Sequence, residues 1–390
     1  MWSYVPLEKV ANICDGLRKP VNSKERAKRI EGKLNESLFP YYGATGQVGY
    51  IDDYLTDGEY VLLGEDGAPF LNPFASKAYI ISGKAWVNNH AHILQSKSNN
   101  KFLCYYLNYF DYNSYVSGTT RLKLTQAQLK RIDITDISKD EQQRIVSCIE
   151  ELFSELDKGV ETLQTIKEQL AVYRQAVLTS LYPEMTEENT VSLDAIADIT
   201  SGITKGRKLD GQDTLRLPYL RVANVQNGYL NLSEMKSIEL KPSEREKYLL
   251  KYGDVLYTEG GDRDKLGRGT IWRDEIKECV HQNHVFKARV DTTRALPKYV
   301  SYWSMSTPAR NYFYTKGKQS VNLASINKTI LSALLLPLPD KACQEKIVNC
   351  IEERFSLCDN IEQTVDNALT QAESMRKGIL KKAFEGELCK

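Results

Sequence analysis

The feature that most constrains this chain of 390 residues is that it matches itself. QQRIVSCIEELFSELD at 142–157 aligns with QEKIVNCIEERFSLCD at 344–359, identical at Gln142/Gln344, Ile145/Ile347, Val146/Val348, Cys148/Cys350, Ile149/Ile351, Glu150/Glu352, Glu151/Glu353, Phe153/Phe355, Ser154/Ser356 and Asp157/Asp359, an offset of 202. GTTRLKL at 118–124 aligns with GKQSVNL at 317–323 at offset 199, and NNHAH at 88–92 with QNHVF at 282–286 at offset 194. The same 194 relates VLLGEDG at 61–67 to VLYTEGG at 255–261, and 186 relates VPLEKVANICDGL at 5–17 to VSLDAIADITSGI at 191–203. Offsets that only grow along the chain are what small insertions in a tandem duplication produce. A repeat dictates architecture before any single motif does, so the chain is expected to be two copies of one unit.

The best-matched segments predict two long helices. Ile145, Ile149, Leu152, Leu156, Leu163, Ile166, Leu170, Tyr173 and Val177 recur at steps of four and three, interrupted at Gly159, which is a coiled-coil seam. Adding 202 gives Ile347, Ile351, Arg354, Cys358, Val365, Ala368, Ala372, Met375 and Ile379, with Ile361 answering Gly159. Tyr182-Pro183 ends the first helix, because proline disfavours helical geometry in the residue before it. About forty residues at ~1.5 Å each make rods of roughly 60 Å. A second block lies between them in sequence, so the two rods are expected to pair antiparallel.

Charge follows the same division. Lys plus Arg minus Asp plus Glu is +2 over residues 1–140, −6 over 141–190, +6 over 191–340 and −1 over 341–390. Phosphate is neutralised locally, so the two basic blocks are candidate nucleic-acid surfaces despite a net charge of +1. Eight cysteines without a CxxC pair read as reduced thiols. No apolar run is long enough for a membrane helix, and the start lacks a signal-peptide layout, so no membrane association and a cytoplasmic location are expected.

No catalytic constellation emerges. There is no GxxxxGK[ST] loop for ATP, and Asn72-Pro73-Phe74 lacks the second proline of an adenine-methyltransferase tetrapeptide. Gly260-Gly261, Gly267 and Gly269 read as turn glycines, and Glu239 with Lys241 is only half of a nuclease metal motif. His90 with His92 and His281 with His284 invite a metal. The repeat instead aligns His90 with His284, each preceded by asparagine, which reads as a buried hydrogen-bonded Asn-His pair. No metal site and no cofactor are expected in this chain.

Taken together, RQAVLTSL at 174–181, RKGILKKAFEGEL at 376–388, the helix starts DEQQRI and CQEKI, YYGATGQVGYIDDY at 41–54, PYLRVANVQNGYL at 218–230 and YGDVLY resemble the specificity subunit of a type I restriction-modification enzyme. The proline-rich lead-in of the second helix, LLLPLPDKACQ, has no counterpart before the first. The resemblance implies an α+β (mixed α/β) fold with an internal pseudo-twofold repeat. Target-recognition domains at 1–140 and 186–340 would be separated by coiled-coil spacers at 141–185 and 341–390.

It further implies a non-catalytic subunit whose two domains each read half of a split, asymmetric double-stranded DNA site. Two modification subunits carrying S-adenosylmethionine would dock on the helices and methylate adenine at N6, and restriction subunits using ATP and Mg would join them. Within the basic blocks the candidate DNA-contacting residues are Thr119, Thr120, Arg121 and Lys123, aligned with Lys316, Lys318, Gln319, Ser320 and Asn322 around a shared glycine. Lys205, Arg207 and Lys208 in a glycine-flanked loop, and Arg263, Lys265 and Arg268 in the 260–269 turn, complete the set. Arg, Lys, Asn and Gln suit base edges, and hydroxyls and amines suit phosphates. The competing reading is a coiled-coil scaffold without sequence-specific DNA binding.

Overall fold

The computed structural model describes residues 2–209, 213–319 and 324–388. The chain forms two compact units: residues 1–164 with 365–390, and residues 165–364. Each long helix therefore contributes to both units.

In the first unit the central sheet has four antiparallel strands in the order Ala11–Ile13, Ala91–Ser96, Tyr60–Gly64 and Ala78–Ile81. The run Val61-Leu62-Leu63 has no exposure at all. Side chains alternate across a strand, so Val61 and Leu63 join the core under the helices while Leu62 joins a second core on the other face. This double burial explains a continuous apolar run where a half-exposed strand would alternate. A second sheet has the order Gly46–Ile51, Phe39–Gly43, Lys84–Val87 and Thr56–Asp57.

The second unit repeats this plan. Its central sheet runs Ala197–Ser201, Val285–Val290, Val255–Thr258 and Gly269–Ile271, and Val255 and Tyr257 face one core while Leu256 faces another. The registers themselves are duplicated. Leu63 pairs with His92 and Tyr257 with Phe286; Ile13 pairs with Leu94 and Ile199 with Ala288; Val5 pairs with Ile134 and Val191 with Leu336. These pairs reproduce the offsets 194, 186 and 202.

One expectation about the repeat is corrected. The parallel pairs Tyr41 with Trp86 and Tyr219 with Val280 are equivalent, which puts Tyr41 and Tyr219 at offset 178, smaller than the preceding 186. The offsets therefore do not only grow. The first copy carries eight additional residues between Leu17 and Tyr41, and a helix, Ser23–Ile30, occupies that stretch.

The long helices are Lys139–Ser180 and Lys341–Phe384. The missing prolines before the first are replaced by a Ser138 cap, whose Oγ accepts from the Glu141 amide at 3.2 Å; Asp340 caps the second through Cys343 at 2.7 Å. In both, the shared glutamine folds back on the chain before the helix, with Gln142 Nε2 donating to the Ile137 carbonyl and Gln344 Nε2 to that of Pro339. Within each unit the helices run antiparallel. In the first, Arg376 pairs with Asp157 while Ala383 and Phe384 share a core with Ile145 and Ile149. In the second, Arg174 pairs with Glu362 at 2.8 Å while Val177 shares a core with Ile347 and Ile351.

The expected seam is only half covered. Ile145, Ile149, Leu170, Val177, Ile347, Ile351 and Val365 are buried, and Leu156, Leu163, Ile166 and Ile379 partly so. Leu152, Tyr173, Ile361 and Met375 are 40–51% exposed. Two helices cover one stripe on each other; a position farther round stays open unless another element lies over it.

Candidate nucleic-acid interface

In the first unit residues 117–123 form a closed loop, with paired backbone hydrogen bonds between Ser117 and Lys123 of 2.8 and 3.0 Å. Gly118 turns the chain at φ +103°, where a Cβ would also meet the Arg121 carbonyl at 2.5 Å, so only glycine fits. The loop holds Thr119, Thr120, Arg121 and Lys123 exposed. Its cations are anchored by two carboxylates just beyond the end of the strand Tyr60–Gly64. Arg121 Nη2 donates to Asp66 Oδ1 at 2.6 Å and lies 3.3 Å from His90 Nδ1, while Lys123 Nζ is 3.2 Å from Glu65.

Beneath the loop, Arg18 pairs with Glu65 and with Asp15. The buried His92 ring has Asp15 at one nitrogen, 2.7 Å away, and the Leu124 carbonyl at the other, 2.9 Å away. Burial pushes the Asp15 carboxyl up, but the His92 and Ile93 hydrogen bonds and the Arg18 charge outweigh it and hold it below its ordinary value.

The second unit uses the same frame. The amides of Glu65 and Glu259 donate to the carbonyls of His90 and His284, and the amides of Leu124 and Ile326 donate to the carbonyls of Glu65 and Glu259. The basic loop before each long helix is thus held beside an acid-histidine pair in which the histidines are equivalent but the acids are one position apart, His90 with Asp66 at 2.7 Å and His284 with Glu259, the counterpart of Glu65, at 2.5 Å. The expected buried Asn-His pair is corrected here. His90 and His284 have side chains 38% and 53% exposed, and the fully buried histidines are His92 and His281, which have no counterpart in the repeat. The exposed rings sit at strand ends facing carboxylates, where only the preceding Asn88 is inside.

The other candidates fall into two sets. Lys205, Lys208, Lys316 and Lys318 are exposed and have no ion-pair partner among the described residues. Arg207, by contrast, is held at two points by Glu244, at 2.7 and 3.0 Å, and its guanidinium keeps the Glu244 carboxyl below its usual range. Lys265 pairs with Asp262. Arg263 lies 4.6 Å above the Tyr314 ring, its Nε donating to the Tyr314 carbonyl at 3.2 Å. Arg268 is half-buried, with an Nε that has no hydrogen-bond partner among the described residues. Lys318 and Gln319 form a short strand beside Ala324–Ser325, which also pairs with Gly260–Gly261, so the structure brings the Lys318 segment to the 260–269 turn. Ser320 and Asn322 lie outside the described residues.

Sequence reasoning missed the helix Ser23–Ile30, because a search by self-similarity passes over an insert without a counterpart. The available signal was the run from Arg18 to Lys33, which holds seven Lys or Arg against two Glu. Among the described residues no group of His, Cys, Asp and Glu could hold a metal ion, and no helix is long and apolar enough to cross a membrane.

The comparisons with known proteins agree with this arrangement. The family described as Type I restriction modification DNA specificity domain matches residues 1–170. The Haemophilus influenzae protein S.HindORF215P is 27% identical over 388 residues, covering 95% of this chain and 92% of that protein. The StySPI type I restriction enzyme specificity subunit of Salmonella potsdam is 27% identical over 289 residues, 71% of this chain but only 62% of that protein. A chain from a structure of a type I R-M system shares the fold with TM-score 0.70 at 14% identity, covering 99% of this chain and 98% of that one. The HsdS subunit from Thermoanaerobacter tengcongensis gives 0.52 at 14% identity, covering 99% and 97%. With duplicated strand registers, two capped long helices and a basic loop beside each sheet, this chain is similar over residues 1–170 to the type I restriction-modification DNA specificity domain family, and shares its fold with solved type I R-M chains.

Proposed function

We propose that the chain is the recognition subunit of a type I restriction-modification complex, and that each unit reads one half of a bipartite, asymmetric DNA sequence. The observation that carries this reading is one scaffold presenting two unlike surfaces. The central sheets have the same order and register, whereas the loops they hold differ: Thr119, Thr120, Arg121 and Lys123 in one, Lys316 and Lys318 in the other. A split site with unlike halves requires that combination of shared frame and divergent loops.

On this reading the chemistry is supplied by partners. Two modification subunits dock on the long helices, bind S-adenosylmethionine and methylate adenine N6; restriction subunits contribute ATP- and Mg-dependent activity. This chain contributes recognition and spacing but no catalytic group. The exposed Leu152, Tyr173, Ile361 and Met375 suit such docking, since apolar side chains on a long helix gain by being covered.

The test is mapping of N6-methyladenine in DNA exposed to this chain with its modification subunit. A split motif, methylated once in each half and lost when this chain is omitted, is the expected result. Methylation that does not depend on this chain would return the weight to a scaffold role.

A further inference from the structure

We propose that the helix Ser23–Ile30 is a second DNA-contacting element of the first unit, and that it grips the phosphodiester backbone rather than base edges. The proposal rests on the DNA-recognition reading above. It starts from how the helix is mounted. Asn22 caps it, its side chain accepting from the Glu25 amide at 2.9 Å. Two arginines on its inner face lie over aromatic rings of the second sheet, Arg26 4.6 Å above Tyr41 and Arg29 4.8 Å above Trp86. Arg29 Nε and, beyond the helix, Lys33 Nζ each lie 2.6 Å from Asp52. The Lys33 hydrogen bond, with that of Arg29 and the two charges, outweighs desolvation and holds the Asp52 carboxyl below its usual range. The inner cations are thus consumed in fixing the helix to the sheet.

The outer cations are not. Lys24 and Lys28 lie one turn apart on the opposite face, both exposed and without an ion-pair partner among the described residues. Lys19, just before the helix, is also exposed, while its amide donates to the Val87 carbonyl at 3.0 Å. Glu25 and Glu31 are the acids of this segment, and they leave the stretch from Arg18 to Lys33 strongly positive. Exposed lysines are flexible point charges that suit phosphate, and this outer face carries no Asn, Gln or Arg, whose planar groups make the fixed two-point contacts that read a base best.

An independent observation comes from the second unit. The strand pair equivalent to Tyr41 and Trp86 is Tyr219 and Val280, so the shorter connection that stands where the first copy inserts this helix is the one containing Lys205 and Lys208. Those lysines are likewise exposed and unpaired among the described residues. The two copies share no local structure there, a helix in one and a glycine-flanked loop in the other, yet both carry exposed lysines, without an ion-pair partner among the described residues, in the connection that leads to equivalent strands. Packing does not require that agreement, and a polyanion bound by both units accounts for it.

The experiment measures binding of the assembled complex to a duplex carrying its methylated sequence, between about 50 and 200 mM salt. The variants are Lys24→Gln with Lys28→Gln, and Lys24→Glu with Lys28→Glu. The expected result is a slope of log affinity against log salt reduced by about two, with affinity at the lowest salt down roughly tenfold or more. Assembly and the methylated sequence stay unchanged. An unchanged slope overturns the proposal, as does an equal loss from Lys9→Glu with Lys130→Glu, which would show a general charge effect. A changed methylated sequence overturns the assignment to phosphate. Failure of the unaltered complex to prefer any sequence would instead bring down the recognition reading itself, and is seen before any variant is made.

Discussion

Lys287 shows how little of a residue's role is visible before its surroundings are. In sequence it is one more cation of the basic second block; in the fold it is 2% exposed on a central strand. Its amine donates to the Lys247 carbonyl at 2.8 Å and the Leu249 carbonyl at 3.3 Å, tying down the end of a short helix. Burial, with the neighbouring Arg289 charge, lowers its pKa to about 8. Because the folded value is depressed, the unfolded chain binds the proton more tightly between about pH 8 and its ordinary value near 10.5. The contribution of this group to stability should therefore rise with pH across that window and be lost as pH falls through 8. Thermal unfolding from pH 7.5 to 10 should show that rise in the parent chain and not in Lys287→Met. The substitution also takes the Lys287 amine from the Lys247 carbonyl, costing about 1–3 kcal/mol, while the Leu249 carbonyl still accepts from Arg289 Nη2 at 3.1 Å.

At the scale of elements, the two long helices were legible because apolar spacing, proline and a shared glutamine all pointed the same way. What the spacing hid was that Leu152, Tyr173, Ile361 and Met375 would stay open, since a heptad pattern marks a stripe without saying how much of it is covered. The glutamines also differ more than their alignment suggests. Gln344 is fully buried; it donates to the carbonyls of Pro339 and Arg294 and accepts from the Leu296 amide. Gln142 makes one such bond, at 3.2 Å, and its Oε1 has no partner among the described residues. Gln344→Ala should cost about 2–4 kcal/mol and Gln142→Ala under about 1 kcal/mol, a difference that denaturant unfolding measures directly. Equal losses would show that the three bonds of Gln344 count for no more than one. For the basic loops the sequence shows the cations but not their pairing. No spacing rule shows that Glu244 engages Arg207 at two points while Lys205 and Lys208 have no ion-pair partner among the described residues.

For the whole molecule, duplication was the most readable property, because strand registers follow the aligned residues almost pair by pair. The exception, the eight extra residues before Tyr41, was invisible to self-comparison for the reason that makes it informative: it belongs to one copy alone. If the helices set the separation of the half-sites, inserting four residues near Gln164 and again near Thr364, where both helices pass from one unit to the other, adds ~6 Å. Methylome mapping should then show unchanged halves with the gap wider by about one or two base pairs, at 3.4 Å per step. A gap that stays the same would mean the helices do not measure it.

The first unit is also closed by the last residues of the chain. Phe384 is 2% exposed and stacks edge-on against Phe102 and Tyr106 at 5.4 and 5.1 Å. Order of synthesis therefore runs against order of completion. The segment made first leaves the ribosome with a gap in its core and keeps Phe102 and Tyr106 uncovered until the second long helix emerges, so a chain cut short before Phe384 would leave open the unit whose sheets were made first.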